Sequence, residues 1–338
     1  MWDFLKSGMT KAGSTPTFDY FHPFNWQFWS AVFIALMISL VVLKLRRPAS
    51  TWGEIFGYIF DKKVWLHPSS IVDYKLYLTL LPLTTFFLVH LFLAVTVTKG
   101  WTVQFLEGHF TTKSIEGGFG VDLTFSLLFW VATDFGGFLG HYLLHRVPGL
   151  WEFHKTHHTA KVLNVVTRAR AHPVDMFLFK FFPAIFLGIL YGSFQYLVVE
   201  VNMIRLFGMN AFLFIFFQFF HTLRHSHIRW NFPRPLSYIL MSPLQHHVHH
   251  SYLKVNKDIQ RPQVAGWVRY HCDTNIGVGL AIWDWMFKTL YIPKTDEHLE
   301  YGLGENLEKG YDSVWGCYWT PFVDIHNRFQ KFRSKRSA

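Results

Sequence analysis

Residues 141–158 read HYLLHRVPGLWEFHKTHH, and residues 221–250 read HTLRHSHIRWNFPRPLSYILMSPLQHHVHH. Each stretch opens with His-x-x-x-His and closes with His-x-x-His-His. The first supplies His141, His145, His154, His157 and His158; the second supplies His221, His225, His246, His249 and His250. On a helix, residues three and four apart share a face, with Cβ atoms about 5–6 Å apart. Two imidazoles at i and i+4 therefore reach one cation, and an i, i+3, i+4 triplet presents three rings together. So many imidazoles over-saturate one ion; they suit two, each with about five nitrogen ligands. The same pair of motifs recurs in the same order, each time after an apolar stretch, so the chain carries an internal echo. A scatter of surface histidines on a basic protein is the plain alternative, and the ordered repetition argues against it.

The surrounding sequence is that of a membrane protein. Of the 338 residues, 51% are hydrophobic and only 16% charged, against roughly 25% charged in a soluble domain. A helix crossing a bilayer needs about 20 apolar residues. Five stretches qualify: Trp26–Leu43, Leu76–Thr98, Val121–Tyr142, Met176–Val199 and Met203–Phe220. Pro82 is expected to bend the second, and Pro183 lies near the start of the fourth. The first stretch is too long for the core of a cleaved leader and runs into Lys44, Arg46 and Arg47, so a membrane helix is expected there. Asn275–Tyr291 reads as an amphipathic helix, either lying in the membrane interface or buried in a soluble cap.

Net charge is +10. Lys and Arg gather at the ends of the apolar stretches, which favours lipid headgroups over nucleic acid as the anionic partner. Most lie between the first and second spans, between the third and fourth, and after the fifth. That bias puts the N-terminus outside and the C-terminus in the cytoplasm. Cys272 and Cys317 belong to no Cys-x-x-Cys pair, so neither a disulfide framework nor a zinc ribbon is expected. The expected fold is all-α: a multi-pass transmembrane helical bundle of about five spans, with a cytoplasmic helical cap holding a histidine-rich dimetal site. Residues 1–120 form an N-terminal membrane region with two spans, 121–292 the catalytic domain and 293–338 a basic C-terminal tail of the cap.

Asp134 stands seven residues before His141, two turns back on roughly the same face. A carboxylate within a span is costly and marks a functional candidate. It is expected to accept from a ligand imidazole N–H, with direct ligation as the alternative. Gly136, Gly137 and Gly140 either let helices approach closely or leave room for a substrate chain. His90 reads as a packing or channel-lining residue, and His247 as pointing away from the metals. His22, His67, His109, His298 and His326 read as surface or interfacial residues.

This histidine array, with Trp151-Glu152-Phe153 before the first triplet, Ser242-Pro243 before the second and Trp283-Asp284-Trp285 further on, resembles the fatty acid hydroxylase/sterol desaturase superfamily. The resemblance covers about residues 121–292. It implies two iron ions gripped by the histidines on the cytoplasmic face, O2 as co-substrate, and hydroxylation or desaturation of a membrane lipid, sterol-like or fatty-acyl. Imidazole alone suits several metals, so iron rests on the resemblance, and zinc can replace it in a purified sample. His172, in a His-Pro shared with relatives, and His271, before Asp273-Thr274-Asn275, become further candidates for the metal or its surroundings. His227 competes with His221 for one ligand position. No nucleotide-binding glycine pattern or haem motif is present, so electrons are expected from a ferredoxin or a cytochrome b5-like donor. Alkyl-ether lipid oxygenation is an alternative reaction. From other classes, a histidine-rich metal transporter and a haem electron carrier compete; histidines at span ends rather than mid-membrane weigh against both.

Overall fold

The computed structural model describes residues 26–111, 114–254, 270–294 and 297–336, with side chains except at 84–85, 88–90, 305–306 and 335–336. His22 and the side chain of His90 fall outside the described residues. The principal helices are α1 (Trp26–Arg46), α2 (Trp52–Ile59), α3 (Pro68–His109), α4 (Phe119–Arg146), α5 (Pro148–His158), α6 (Pro173–Leu197), α7 (Ala211–Phe216), α8 (Pro243–His249), α9 (Ile282–Phe287) and α10 (Val314–Arg336). A single antiparallel hairpin, β1 (Arg205–Leu206) with β2 (Met209–Asn210), precedes α7.

Among the described residues three helices, α1, α4 and α6, are long and apolar enough to cross a membrane. α1 shows why. It buries only Gln27, Ala31, Ala35, Ser39 and Leu43, one residue in four. Phe33 and Leu45 stay 61% and 77% exposed. A seam of mostly small residues against protein, with bulky apolar side chains elsewhere, suits a helix solvated by lipid. The second expected span lies inside α3, whose 42 residues run on through Pro82. At 1.5 Å per residue α3 is about 63 Å long, roughly twice a bilayer core.

The fifth expected span is not one helix. Residues 203–210 turn back as the hairpin, with Phe207 and Gly208 at positive φ. Helix begins only at Ala211, where the Asn210 side chain accepts from the Phe212 and Leu213 amides. Nor is Asn275–Tyr291 an amphipathic helix. It is a largely buried loop ending in the six-residue α9. The apolar residues there cover the histidines, and helical spacing is incidental.

α6 is the centre of the bundle, packed along α3 and α4. A Cβ on Gly136 would sit 2.4 Å from the Pro183 nitrogen, and one on Gly188 2.8 Å from the Val95 carbonyl. The backbones touch at both positions, so Gly136 serves close packing. The start of α3, the end of α4, the start of α6 and the segment after α7 all reach one end of the bundle. There Arg170 joins them: it pairs with Asp73 of α3 at 2.9 Å and donates to the Thr156 and Tyr311 carbonyls. α10 closes over α5 through ion pairs to the buried Glu152 and Lys155, Glu152 with Arg328 at 2.6 Å and Lys155 with Asp324 at 2.5 Å.

Candidate metal centre

At this end nine imidazoles form two groups. His141, His145, His154, His158 and His249 make the first; His157, His225, His246 and His250 make the second. In each group the ligand nitrogens lie within 4.8 Å of one another. The helices exchange members crosswise. From α5, His154 and His158 enter the first group and His157 the second. From the end of α8 the assignment reverses: His246 and His250 enter the second and His249 the first. The i, i+4 pair of each triplet stays together, while the i+3 ring turns to the other group.

The Nε2 atoms converge. In the first group His141 is 3.0 Å from His154 and 3.2 Å from both His145 and His249. In the second, His225 is 2.9 Å from His246 and 3.3 Å from His157. An ion about 2.1 Å from each nitrogen would see right-angled neighbours about 3.0 Å apart.

Protonation fits the same picture. His141 Nδ1 donates to the Ile276 carbonyl at 2.5 Å, His249 Nδ1 to the Thr274 carbonyl at 2.7 Å, and His157 Nδ1 to the Arg170 carbonyl at 3.1 Å. His154 Nδ1 bonds Asp175 Oδ2 at 3.0 Å. These acceptors fix the proton on Nδ1 and leave the Nε2 lone pair facing its neighbours. Burial holds His158, His225, His246, His249 and His250 well below the usual imidazole range, and His157 at about 4. Neutral rings that turn lone pairs on one another repel without a cation between them. Both groups therefore fit metal ions.

His221 stands apart. The helix after Phe216 widens into a π turn over Phe217–His221 and then tightens to a 3-10 turn over Thr222–His225. Four steps of α-helix bring i and i+4 to within about 40°, but four steps at three residues per turn separate them by about 120°. His225 thus faces the second group, while His221 Nδ1 accepts from Arg224 at 2.6 Å. The expected fifth ligand is replaced by an arginine contact. Its rival His227 is also elsewhere, donating to the Tyr58 carbonyl at 2.9 Å. His172 caps α6, its Nδ1 accepting from the Val174 amide. His271 lies against Tyr291, and the buried His247 beside Tyr301; neither enters a group.

The comparisons with known proteins bear on this geometry. The family model for fatty acid hydroxylases matches residues 126–289, which hold every histidine of both groups. Over these residues, a little under half of its length, the chain is similar to the fatty acid hydroxylase family. It is 26% identical over 187 residues to an ornithine lipid hydroxylase, OlsE, of Rhizobium tropici, covering 54% of this chain and 46% of that protein. It is 28% identical over 177 residues to an alkylglycerol monooxygenase of Xenopus tropicalis, covering 52% of this chain and 32% of that protein. With the human alkylglycerol monooxygenase it shares 26% over 209 residues, 60% and 39% of the two chains. The matched region spans less than half the length of these relatives. No solved structure gives a significant match.

Within the matched region, the loop supplying the Ile276 and Thr274 carbonyls is held by two buried carboxylates. Asp284 accepts from the Ile276 and Gly277 amides at 2.7 Å each and from the Thr289 hydroxyl at 2.6 Å. Asp134 accepts from the Leu280 amide at 3.0 Å and from Trp283 Nε1 at 2.8 Å. Asp134 therefore bonds no ligand imidazole, contrary to expectation; it pins the loop whose backbone does. Asp284, Thr274 and Ile276 escaped sequence reasoning, and so did Asp175 as partner of His154. An acid between two tryptophans in an apolar segment, Trp283-Asp284-Trp285, was the one available signal.

Proposed function

We propose that this chain is a membrane-bound, O2-dependent lipid oxidoreductase in which the two imidazole groups each hold an iron ion. The observation that carries the reading is the convergence of two buried sets of neutral Nε2 lone pairs at spacings near 3 Å. Bound iron would supply activation of O2 and oxidation of an unactivated C–H bond. Hydroxylation is favoured over desaturation, because the relatives are named as a hydroxylase and a monooxygenase. In it one C–H becomes C–OH, the second oxygen atom leaves as water, and two electrons and two protons are consumed.

The chain's own residues do the rest. His141, His145, His154, His158 and His249 would hold one ion, and His157, His225, His246 and His250 the other. Asp175 and the carbonyls of Ile276, Thr274 and Arg170 keep the protons on Nδ1 of His154, His141, His249 and His157, so those Nε2 lone pairs stay aimed inward. The covering loop and α10 keep bulk water from the centre. Substrate would enter from the bilayer among the spans, and electrons from a separate ferredoxin or cytochrome b5-like protein. The arrangement of Lys and Arg supports an N-terminus outside and both imidazole groups in the cytoplasm. Ether-lipid oxygenation is the second reading, supported by the similarity to alkylglycerol monooxygenases. A transporter is disfavoured, since the rings lie in the protein interior and four of them, His141, His154, His157 and His249, are locked by Nδ1 hydrogen bonds.

The test is purification with iron, elemental analysis, and incubation with a membrane lipid extract, reductant and 18O2. Two irons per chain and one 18O atom in a lipid product are expected. Absence of bound metal, or of labelled lipid with each candidate donor, would refute the proposal.

A further inference from the structure

The second imidazole group is one ring short of the first, and the ring that the echo would supply, His221, is bonded instead to a buried cation, Arg224. Arg224 is 2% exposed. Its Nη2 donates to His221, but its Nε has no hydrogen-bond partner, and it forms no ion pair among the described residues. Asp134 acts on it only at longer range and is already engaged by Leu280 and Trp283. The guanidinium lies 5.8 Å from the Phe216 ring. Trp130 packs against the same ring at 6.1 Å, and its Nε1–H also lacks a partner. Arg168 adds a second positive charge close enough to act on His221 and His225.

The two groups differ in their nearest charged neighbours, although Asp175 also acts on His157 and Arg224 on His249. The first has a carboxylate hydrogen-bonded directly to it, Asp175 on His154. The second is flanked by arginines. A buried charge without a partner is strongly destabilising, and orphaned buried donors add to that cost. What the site lacks is an acceptor carrying negative charge.

We propose that Arg224, beside the four-imidazole group, and Trp130, packed on the same Phe216 ring, form a subsite for an oxyanion on the polar end of the lipid substrate. The identity of that lipid as substrate rests on the oxidoreductase reading; the subsite itself does not. Carboxylate and phosphate share the required chemistry: several acceptor oxygens and a full negative charge.

Three probes with one sixteen-carbon chain separate the sources: palmitate, hexadecyl phosphate and hexadecanol. Binding to the purified full-length protein is measured by calorimetry without reductant, so that no turnover intervenes. At least one anion is expected to bind about tenfold to a hundredfold more tightly than the alcohol, the range for a hydrogen bond to a charged group. Tighter palmitate identifies a carboxylate lipid, and tighter hexadecyl phosphate a phosphorylated head. Arg224→Gln should erase the preference and Arg224→Lys keep part of it, with thermal melting confirming folded protein. If Arg224→Gln does not fold, Trp130→Phe should still lower the preference several-fold. Equal binding of alcohol and anions, or a preference unchanged in the folded variants, overturns the proposal. Iron content and turnover are scored separately, so failure of the oxidoreductase reading leaves this result interpretable.

Discussion

Replacing Asp284 by Asn should empty the first imidazole group while sparing the second. The carboxylate faces three donors at 2.6–2.7 Å, the Ile276 and Gly277 amides and the Thr289 hydroxyl. Burial pushes it up to about 7 even so. Asparagine keeps the shape but only one acceptor oxygen, and turns an amide N–H2 towards at least one backbone N–H. A hydrogen bond to a charged group contributes about 1.5–3 kcal/mol, and a stranded buried donor costs about 1–3 kcal/mol. The loop should therefore be weakened by about 3–5 kcal/mol in total. Its carbonyls orient His141 and His249, both of the first group, whereas His157 of the second leans on Arg170. Loss of such supporting contacts typically lowers metal affinity about 10–100-fold. Chelator competition followed by elemental analysis should show one ion leaving early and the other with wild-type affinity. Thr289→Val, which removes one hydroxyl, should show the same order with a smaller shift. Retention of both ions at wild-type affinity in a folded Asp284→Asn protein would refute the reasoning, and so would their simultaneous loss.

Other outcomes follow from the same contacts. His221→Ala should leave metal stoichiometry unchanged, whereas His246→Ala should lose the second ion; elemental analysis of the two variants decides it. Asp175→Asn should weaken the first ion about 10–100-fold by freeing the His154 proton to move to Nε2, read by chelator competition. Gly136→Ala drives a Cβ to 2.4 Å from Pro183 and should destabilise the bundle by about 1–3 kcal/mol, visible as a lower melting temperature. Metal-free protein should lose stability as pH falls. His157 is held near 4 when folded and returns to about 6.5 when unfolded. Above 6.5 both states are neutral; between 6.5 and 4 only the unfolded chain binds the proton. The loss approaches about 3 kcal/mol from this ring alone, so melts after chelation at pH 7.5 and pH 5 should differ, and a flat profile would contradict it.

The histidine spacing made most of the centre readable in sequence, because i and i+4 on a regular helix stay in one group, although it did not tell that the i+3 ring of each triplet would turn to the other. It failed at His221, where π and 3-10 turns replace the regular helix and no residue type announces the change. The apolar stretches α1, α4 and α6 were legible for their length. Met203–Phe220 was not, since an apolar run that begins as a hairpin has the composition of one crossing a bilayer. The loop after Thr274 misled through helix-like spacing of buried residues. The carbonyls of Ile276, Thr274 and Arg170 left no trace, for every residue has a carbonyl and only the fold says where it points.

The crosswise sharing of rings between α5 and α8 has a consequence for biogenesis. Neither half of the repeat can complete a set of ligands by itself: one waits for His249, the other is incomplete without His157. During synthesis the early half must stay inserted, its donors unoccupied or loosely loaded, until some 90 further residues have emerged. Capture of both ions is thereby a late, concerted event, and a truncated product ending before α8 would be released empty.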